Sequence, residues 1–446
     1  MRTKFLQFTA KLGTPGMDIT FRRPPVISIA PGECTISPEI EQTAQHRDRL
    51  KGSDLTTIGV GMLGFGFIGK VHSHAHRSLP LFYDPLPLET KLIGVCTTSV
   101  ASSEKAIRQA GFQFSTQSAQ ELIYHPEIDL IHICTPNDMH KDAVLAAILA
   151  GKHIYCDKPL GLDVSEAEEI CQAARSSSAV HQMTFNYRFV PAIMRAKQLI
   201  ESGFLGDLFQ FRMAYLHAGY IDPARPYSWR TNMQKSGGGA IADLGAHVID
   251  LTRFLTANES SLPRGGEIAE VQARFDTVIK SRKDPKTLEL RAVDVDDIAI
   301  VQCRLAGGAI GTIEATRLAT GVQDELRIEL HGTKGALRFN LMDPNWLDAY
   351  DATLTEAALG GDRGFRRIEC VTRYPAPYSL GATKNTVGWL NFHIQSLFDC
   401  VNNIALQRDG EPLSTNSPTF EDGLATQRVI EACTVSANSD SSRVNV

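Results

Sequence analysis

The sequence lacks the features that would mark a disulfide-stabilised, membrane-spanning or nucleic-acid-binding protein. Its nine cysteines are scattered, odd in number and never spaced as a Cys-x-x-Cys pair, which favours reduced thiols over a disulfide framework or a zinc site. No apolar run approaches the roughly 18 residues needed to cross a bilayer. A formal net charge of −5 leaves no basic excess for binding nucleic acid. We therefore expect a cytoplasmic protein with no membrane and no nucleic-acid partner.

The length of the chain indicates more than one domain. With 446 residues, of which 43% are hydrophobic, the chain can bury two cores. Residues 1–54 differ from the rest, because a basic start without acidic residues is followed by four prolines. A transit peptide also begins in this way, but no sustained amphipathic pattern accompanies it here. We interpret residues 1–54 as a flexible or loosely docked extension, or as the result of an upstream start with Met17 as the first functional residue.

A glycine-rich turn organises the next part of the chain. An apolar run at 58–63 leads into Gly-Phe-Gly-Phe-Ile-Gly at 64–69, and a helical pattern follows. Strand, turn and helix in this order can seat a pyrophosphate at the helix N-terminus. Gly64 would form the tight turn, Gly66 would let the backbone approach the phosphates, and Gly69 would let the helix pack on its strand. Because glycine-rich turns are common, the motif alone is weak evidence for a dinucleotide site.

Strands alternate with helices as far as residue 185. We predict strands at 55–63, 92–96, 128–134, 153–156 and 180–185, with helices between them, three of them at 102–111, 141–150 and 165–174. This spacing is typical of a parallel, doubly wound sheet, whose ligand lies beyond the carboxyl ends of the strands. The turn at 64–69, Thr-Pro-Asn at 135–137 and Asp-Lys-Pro at 157–159 all follow strands, so they should line one crevice. We therefore predict a Rossmann dinucleotide-binding domain over residues 55–185.

The end of the second strand lacks the residue that usually selects the cofactor. An Asp or Glu there binds the adenosine ribose hydroxyls of NAD, while a nearby Arg accepts the 2′-phosphate of NADP. This chain offers Thr97, Thr98 and Ser99 instead. Hydroxyl groups serve either cofactor, so we expect NAD and do not exclude NADP.

The second half of the chain has a different pattern of predicted secondary structure. Extended, alternating runs occur at 209–215, 270–275, 298–305, 309–315 and 326–331, and Gly307-Gly308 between two of them is a hairpin signal. Consecutive strands with few helices indicate an α+β domain with a large, mostly antiparallel sheet. We assign this domain to residues 186–435 and a C-terminal tail to residues 436–446.

Histidines in the helix after the glycine-rich turn suggest a metal site at first sight. His72 and His76 share a helical face, but His74 points elsewhere. We therefore expect no metal and a solvated or cofactor-adjacent helix start.

The best catalytic candidates lie in the segment 236–250. Three glycines precede a helix that carries Asp243, His247 and Asp250, whose spacings place them on roughly one face. Histidine suits proton transfer near neutral pH, and an ammonium such as that of Lys158 would stabilise a developing alkoxide. Taken alone, the Asp-x3-His pattern also occurs as a surface ion pair or a helix contact, and the chain offers no ligands for a zinc site beside it.

Five motifs in this order resemble the glucose–fructose oxidoreductase/inositol dehydrogenase (Gfo/Idh/MocA) family of nicotinamide-dependent sugar dehydrogenases. They are the turn at 64–69, Cys-Thr-Pro-Asn-Asp-Met-His at 134–140, Gly-Lys-His-Ile-Tyr-Cys-Asp-Lys-Pro at 151–159, Asn-Tyr-Arg-Phe at 186–189, and Gly-Gly-Gly-Ala-Ile-Ala-Asp-Leu-Gly-Ala-His-Val-Ile-Asp at 237–250. The resemblance covers residues 55–435. It implies an N-terminal Rossmann domain and a C-terminal domain whose open sheet supports substrate binding and oligomerisation. The implied homo-oligomer is a dimer or a tetramer.

The resemblance also implies roles for individual residues. Lys158 takes the place of the catalytic lysine, Asp243 contacts substrate and His247 is the acid/base. Asp157 stands where the family usually has Glu. The implied cofactor contacts are Gly64, Phe65, Gly66, Phe67, Ile68, Gly69, Thr97, Thr98, Thr135, Pro136, Asn137, His140, Asp157, Lys158, Asn186, Trp229 and Arg230. The implied substrate contacts are Lys158, Tyr187, Tyr220, Asp243 and His247; for Tyr187, Tyr220 and Trp229, ordinary packing is the alternative to stacking on a sugar.

Further stretches resemble the branch of the family that acts on whole pyranosides, which contains levoglucosan and glycoside 3-dehydrogenases. They are residues 215–230, Val-Asp-Val-Asp-Asp at 293–297, Glu-Ala-Thr-Arg at 314–317 and His-Gly-Thr-Lys-Gly at 331–335. The run at 293–297 also fits a solvated strand start. The resemblance implies oxidation of a ring hydroxyl, at C3, of a sugar, glycoside or anhydrosugar. The alternatives are an inositol (cyclitol) dehydrogenase and, from another class, a non-catalytic dinucleotide-binding regulator.

Overall fold

The computed structural model describes residues 56–257, 266–357, 360–371 and 385–446. They belong to one structural unit that begins at Asp54. The predicted extension at 1–54 lies outside the described residues. Among the helices of the described residues, none is both long and apolar enough to cross a membrane.

The first part of the described chain forms a six-stranded sheet. Its strands are β1 (Thr57–Leu63), β2 (Glu89–Cys96), β3 (Phe114–Thr116), β4 (Leu130–Ile133), β5 (His153–Cys156) and β6 (His181–Met183). Every neighbouring pair is parallel, in the order β3-β2-β1-β4-β5-β6. All four residues of β4 are buried, as expected for a strand covered by helices on both faces. This order is that of a doubly wound dinucleotide-binding sheet, which confirms the predicted Rossmann fold.

Helices follow the first five strands of this sheet along the chain. These helices are α1 (Phe67–Phe82), α2 (Val100–Ala110), α3 (Ala119–Ile123), α4 (His140–Leu149) and α5 (Val164–Arg175). Residues with capping chemistry set several of their ends. The Ser99 hydroxyl accepts from the Ser102 amide at the start of α2, and Gly111 ends α2 in the left-handed conformation. Asp163 accepts from the Glu166 amide at the start of α5.

A nine-stranded sheet dominates the second part. After α6 (Pro191–Glu201) come β7 (Leu208–Leu216), α7 (Met233–Ser236), α8 (Ala246–Thr256), β8 (Ile268–Asp276), β9 (Ser281–Lys283), β10 (Leu290–Ala292), β11 (Ile298–Leu305), β12 (Ile310–Thr316), β13 (Glu325–Gly332), β14 (Gly335–Asn340), β15 (Trp346–Asp351) and β16 (Arg366–Glu369). The chain ends with α9 (Trp389–Asp409), α10 (Phe420–Asn438) and β17 (Val444–Asn445).

The strand order of this sheet is β16-β15-β14-β13-β7-β12-β11-β8-β17, and β9 pairs with β10 separately. Among these neighbours β7 and β12 are parallel and the other pairs are antiparallel. The hairpin predicted at Gly307-Gly308 joins β11 to β12, with Gly308 at a φ of +94°. Buried and exposed residues alternate along β11, because one face of the sheet packs on helices.

Two features of the C-terminal part depart from the sequence prediction. Residues 436–446, predicted as a tail, contain the end of α10 and the edge strand β17, which pairs with Glu270 and Val271. The strand-rich prediction also missed the long helices α9 and α10. Helix α9 packs on α1, where Phe398 stacks on Tyr83 with ring centroids 3.9 Å apart, and on β5, where Ser396 Oγ lies 2.7 Å from the Tyr155 hydroxyl. Residues 389–446 therefore contribute to the packing of both sheets.

A buried histidine cluster lies between α1 and β4. The Nε2 atoms of His76 and His132 are 2.8 Å apart, and the Nδ1 atoms of His132 and His72 are 3.1 Å apart. The predicted solvated face holds for His74 alone, since His72 and His76 are buried. Ligand atoms of His72, His132 and Cys134 lie within 4.8 Å of one another, close enough to hold a metal ion. The facing nitrogens are already used in hydrogen bonds, so we describe the cluster as a chain of neutral imidazoles.

This cluster predicts that the folded chain loses stability in acid. Burial lowers the pKa of His72 and of His76 to about 3, and that of His132 well below 6.5. Between these values and 6.5 the unfolded chain binds more protons, so the free energy of unfolding falls as the pH falls below 6.5. Each excluded proton contributes up to about 1.4 kcal/mol per pH unit, measurable by urea unfolding at a series of pH values.

His76→Gln keeps a polar side chain beside Thr90 and His132 and should reduce this pH dependence. His74→Gln, on the exposed side of the same helix, is the matched control and should keep the wild-type dependence. Equal dependence in the wild type and both variants would contradict the assignment to the buried cluster.

Candidate active site

The glycine-rich turn between β1 and α1 leaves room for a pyrophosphate. Gly64 has a φ of +91°, and a Cβ there would lie 2.6 Å from the carbonyl oxygen of Cys134. A Cβ at Gly69 would lie 2.3 Å from the carbonyl oxygen of Gly64. At Gly66 an added Cβ would meet no atom of the described residues within 4 Å. Close packing thus requires glycine at positions 64 and 69, while Gly66 faces open space where phosphates can approach.

The surroundings of the turn also suit a dinucleotide. No side chain caps α1 at Gly66, and its first turn holds no acidic residue, so its free amides are available to an anion. At the end of β2, the Thr97 hydroxyl lies 3.0 Å from the carbonyl oxygen of Ser99 and 2.8 Å from Ser103 Oγ. Thr97 is buried, whereas Thr98 is exposed. Of the two predicted adenosine contacts, Thr98 is therefore the one with a free surface.

Two predicted cofactor contacts hold loops together. Asn137 Nδ2 donates to the carbonyl oxygen of Ser236 at 2.8 Å. The ring nitrogens of His140 lie 2.8 Å from the carbonyl oxygen of Pro159 and 3.1 Å from that of Thr135. His140 has no exposed surface. Through these hydrogen bonds both side chains hold neighbouring loops in place.

Asp243 binds two cations that come from different sheets. Lys158, which follows β5, donates from Nζ to Asp243 Oδ1 at 2.9 Å and to the Asp243 carbonyl oxygen at 2.6 Å. Arg317, which follows β12, donates from Nη2 to Asp243 Oδ2 at 3.1 Å and from Nη1 to the carbonyl oxygen of Arg230 at 3.1 Å. Burial raises the pKa of Asp243, but the Lys158, Arg317 and Arg230 cations outweigh it and hold the pKa well below its usual value. The carboxylate is charged, and each of its two oxygens accepts a hydrogen bond from one of the cations.

A π-helical turn presents Asp243. Ile241–Gly245 form this turn at the entrance to α8, and such turns are frequent at functional sites. The buried Asp296 holds the preceding glycines, because its carboxylate accepts from the Gly239 amide at 2.7 Å and from the Ile241 amide at 2.8 Å. A Cβ at Gly239 would lie 1.8 Å from the carbonyl oxygen of Asp296. At Asp296 the run 293–297 is therefore packed against the segment that carries Asp243, and a solvated strand start does not describe that residue.

His247, the second residue of α8, is suited to accept a proton. Its ring lies 4.8 Å from that of Tyr187 and 5.7 Å from that of Tyr215. Its buried Nδ1 has no hydrogen-bond partner among the described residues. Burial, and then the Lys158 ammonium, lower the pKa of His247 well below 6.5, with Asp243 acting in the opposite direction. The imidazole is therefore neutral at pH 7.

These groups line a single cavity of about 550 Å³, the size of a small-molecule site. All five predicted catalytic and substrate residues lie on its wall: Lys158, Tyr187, Tyr220, Asp243 and His247. Six predicted cofactor contacts do so too, namely Phe67, Ile68, Asp157, Lys158, Asn186 and Arg230. Trp229 does not line the cavity; its ring packs 4.2 Å from the guanidinium carbon of Arg230.

A chain of hydrogen bonds orders the aromatic part of the wall. Trp389 Nε1 donates to the Tyr187 hydroxyl at 3.1 Å, the hydroxyls of Tyr187 and Tyr215 are 2.5 Å apart, and the Tyr215 hydroxyl donates to Asp324 Oδ1 at 2.8 Å. Because an indole only donates and a carboxylate only accepts, Tyr187 must donate to Tyr215. The hydroxyl of Tyr187 is thus committed to this chain, while its ring positions His247.

Half of the residues on this wall were not predicted from the sequence. Those with side chains that can bind or position a ligand include Tyr215, His217, Arg317, Asp324, Trp389 and His393. Arg317 ends the Glu-Ala-Thr-Arg stretch, which indicated a branch of the family but no role for the arginine. Tyr215 and His217 lie in the stretch 215–230, which likewise indicated a branch of the family but no role for these two residues. Asp324, Trp389 and His393 lie in segments without a recognisable motif, so only their position in the fold reveals them.

Comparison with known proteins places both halves of the chain in one family. The family model described as "Oxidoreductase family, NAD-binding Rossmann fold" matches residues 58–185, and "GFO/IDH/MocA C-terminal domain" matches residues 193–338. Levoglucosan dehydrogenase of Pseudarthrobacter phenanthrenivorans is 32% identical over 407 residues, covering 87% of this chain and 98% of that protein. Inositol 2-dehydrogenase of Rhizobium meliloti is 30% identical over 282 residues, covering 63% of this chain and 75% of that protein.

Solved structures agree with these matches. A structure of levoglucosan dehydrogenase in complex with NADH and levoglucosan superposes with a TM-score of 0.79 at 34% identity, covering 88% of this chain and 100% of that one. The predicted fold class, the predicted family and the prediction of NAD as cofactor are confirmed. The chain is an NAD-binding oxidoreductase that belongs to the Gfo/Idh/MocA family and is similar to levoglucosan dehydrogenase.

Proposed function

We propose that this protein is an NAD(P)-dependent dehydrogenase that oxidises a secondary ring hydroxyl, that at C3, of a sugar, glycoside or anhydrosugar to a ketone. The observation that carries the proposal is the ion cluster of Lys158, Asp243 and Arg317, which lies with a neutral His247 on the wall of one cavity. Phe67 of the glycine-rich turn lines the same cavity. The similarity to levoglucosan dehydrogenase supports an anhydrosugar or a glycoside as the substrate class.

Each of the three polar groups has a distinct task in this reaction. The ammonium of Lys158 has three N–H donors, of which two are directed at Asp243. The third is available to the substrate oxygen and stabilises its negative charge as the proton leaves. His247 accepts that proton, and Asp243 holds the ammonium in place. When bound, the nicotinamide supplies the hydride acceptor.

A cyclitol is the second candidate substrate, because inositol 2-dehydrogenase is among the relatives and matches 63% of this chain. A substrate screen with NAD and NADP in parallel, followed by absorbance at 340 nm, separates the candidates. Reduction of either cofactor by glycosides or anhydrosugars, with little by inositols, supports the proposal. Reduction by inositols alone would favour the cyclitol alternative. A protein that binds the cofactor and reduces it with neither class would favour a non-catalytic regulator.

Lys158→Met and His247→Ala should abolish most of the turnover. Removing the ammonium costs the stabilisation of the developing alkoxide, about 10²- to 10³-fold in kcat, and removing the base costs about 10²- to 10⁴-fold. Cofactor affinity, measured by NADH fluorescence, should stay close to that of the wild type. Lys280→Met removes an exposed lysine paired with Asp276 and is the matched control. Near-normal kcat in both active-site variants would contradict the roles proposed for Lys158 and His247.

The activity should persist into mild acid. Because the pKa of His247 lies well below 6.5 in the folded chain, the fraction of neutral base changes little between pH 8 and pH 6.5. We expect the His247-dependent fall in kcat/KM for sugar oxidation to appear only at lower pH. A steep loss with a midpoint at or above pH 6.5 would contradict a neutral buried base.

Arg317→Lys tests whether the two-point contact of Arg317 matters beyond its charge. A lysine keeps the positive charge but cannot reproduce both the bond to Asp243 and that to the Arg230 carbonyl oxygen. The loss of a hydrogen bond to a charged group is worth about 1.5–3 kcal/mol, so kcat/KM should fall by about 10- to 100-fold. Arg212→Lys, at an exposed ion pair with Glu329, is the matched control, and equal kcat/KM in the two variants would refute this role for Arg317.

A further inference from the structure

Three neighbouring strands of the large sheet place polar residues side by side at the cavity. Arg317 directly follows β12, His217 directly follows β7, and Asp324 directly precedes β13. Leu216, the last residue of β7, pairs with the last residue of β12 and with the first residue of β13. The three residues therefore follow one another across the end of the sheet. Arg317 belongs to the catalytic ion cluster, whereas His217 and Asp324 have no part in the chemistry described above.

His217, Asp324 and Lys158 line the same cavity of about 550 Å³, which is the size of a small-molecule site. One small molecule held in this cavity can therefore contact Lys158 and the His217–Asp324 pair together.

The contacts that His217 and Asp324 make with the protein leave each of them one acceptor atom available. Asp324 Oδ1 accepts from the Tyr215 hydroxyl at 2.8 Å, and His217 Nε2 lies 3.0 Å from the same oxygen. Because Nε2 faces a carboxylate oxygen, the favoured neutral tautomer carries its hydrogen on Nε2, which leaves Nδ1 as an acceptor. Neither Asp324 Oδ2 nor His217 Nδ1 has a hydrogen-bond partner among the described residues. Both side chains line the cavity and are about one-third exposed, at 34% and 33%.

We propose that His217 and Asp324 form a subsite that binds two neighbouring hydroxyl groups of a neutral sugar ring while another hydroxyl of that ring lies at Lys158. The proposal rests on the proposed function and deepens it. Two acceptor atoms select hydroxyl donors, and the charge of Asp324 disfavours a phosphate or carboxylate at this end of the substrate. The subsite therefore determines which sugars the cavity accepts, and the reaction takes place at the other end of the ring.

Binding of deoxy sugars tests the proposal without turnover. The best substrate of the screen and its monodeoxy analogues are titrated calorimetrically into the enzyme saturated with NADH, which cannot oxidise them. In the wild type, the analogues that lack either of two adjacent hydroxyls should bind about 10- to 100-fold more weakly than the parent sugar. In Asp324→Asn, the parent sugar should lose a similar factor, and removal of the one hydroxyl that Asp324 binds should cost little more, while removal of its neighbour should cost as much as in the wild type.

Controls separate this proposal from the others. Asp276→Asn removes an exposed carboxylate outside the cavity and should bind every sugar as the wild type does. Asn at 324 can still accept from Tyr215; if that variant nevertheless unfolds in a thermal scan, His217→Gln provides the same comparison. If both deoxy analogues lose as much affinity in Asp324→Asn and in His217→Gln as they do in the wild type, the subsite is overturned. A wild type that oxidises no sugar in the screen would instead overturn the proposed function.

Discussion

The arrangement of the active site depends on one carboxylate, that of Asp243, between two cations. Lys158 comes from the end of a Rossmann strand, Arg317 from the end of a strand in the second sheet, and Asp243 from a π-turn between them. Removing one partner of a buried ion pair costs about 3–5 kcal/mol, so even a half-buried cluster strongly favours one relative position of the three elements. The same cluster sets the chemistry, because the Lys158 ammonium helps to keep His247 neutral.

The parallel pairing of β7 with β12 has a direct consequence for specificity. Since parallel strands end on the same side of a sheet, Arg317 and His217 emerge next to each other, and Asp324 joins them from the antiparallel neighbour β13. Catalytic and recognition groups thus share one sheet end. Helix α9, which packs on the Rossmann sheet, adds Trp389 to the cavity and orients Tyr187 and Tyr215 through one chain of hydrogen bonds.

Local patterns predicted the parts of the site that a few adjacent residues determine. Gly64 has the positive φ of its own turn, Gly69 packs against Gly64, and Lys158 lies two residues after β5, so a short motif identifies each of them. Asp243 and His247 were found by their spacing on a helix, although the helix begins with a π-turn that spacing cannot reveal. Arg317 and Asp324 were missed because their neighbours are determined by strand register. His72 and His76 were misjudged because burial between α1 and β4 depends on packing that periodicity in α1 alone does not contain.

The central claim is that this protein oxidises C3 of a sugar ring, and the most direct test of it is to follow the hydride. The sugar found in the substrate screen, deuterated at carbon 3, is incubated with the enzyme and NAD, and the deuterium content of the reduced cofactor is measured by mass spectrometry. Direct transfer predicts one deuterium in each NADH formed, with the ketone at carbon 3. NADH that forms without deuterium would show that another carbon is oxidised, and would contradict this assignment of the reaction.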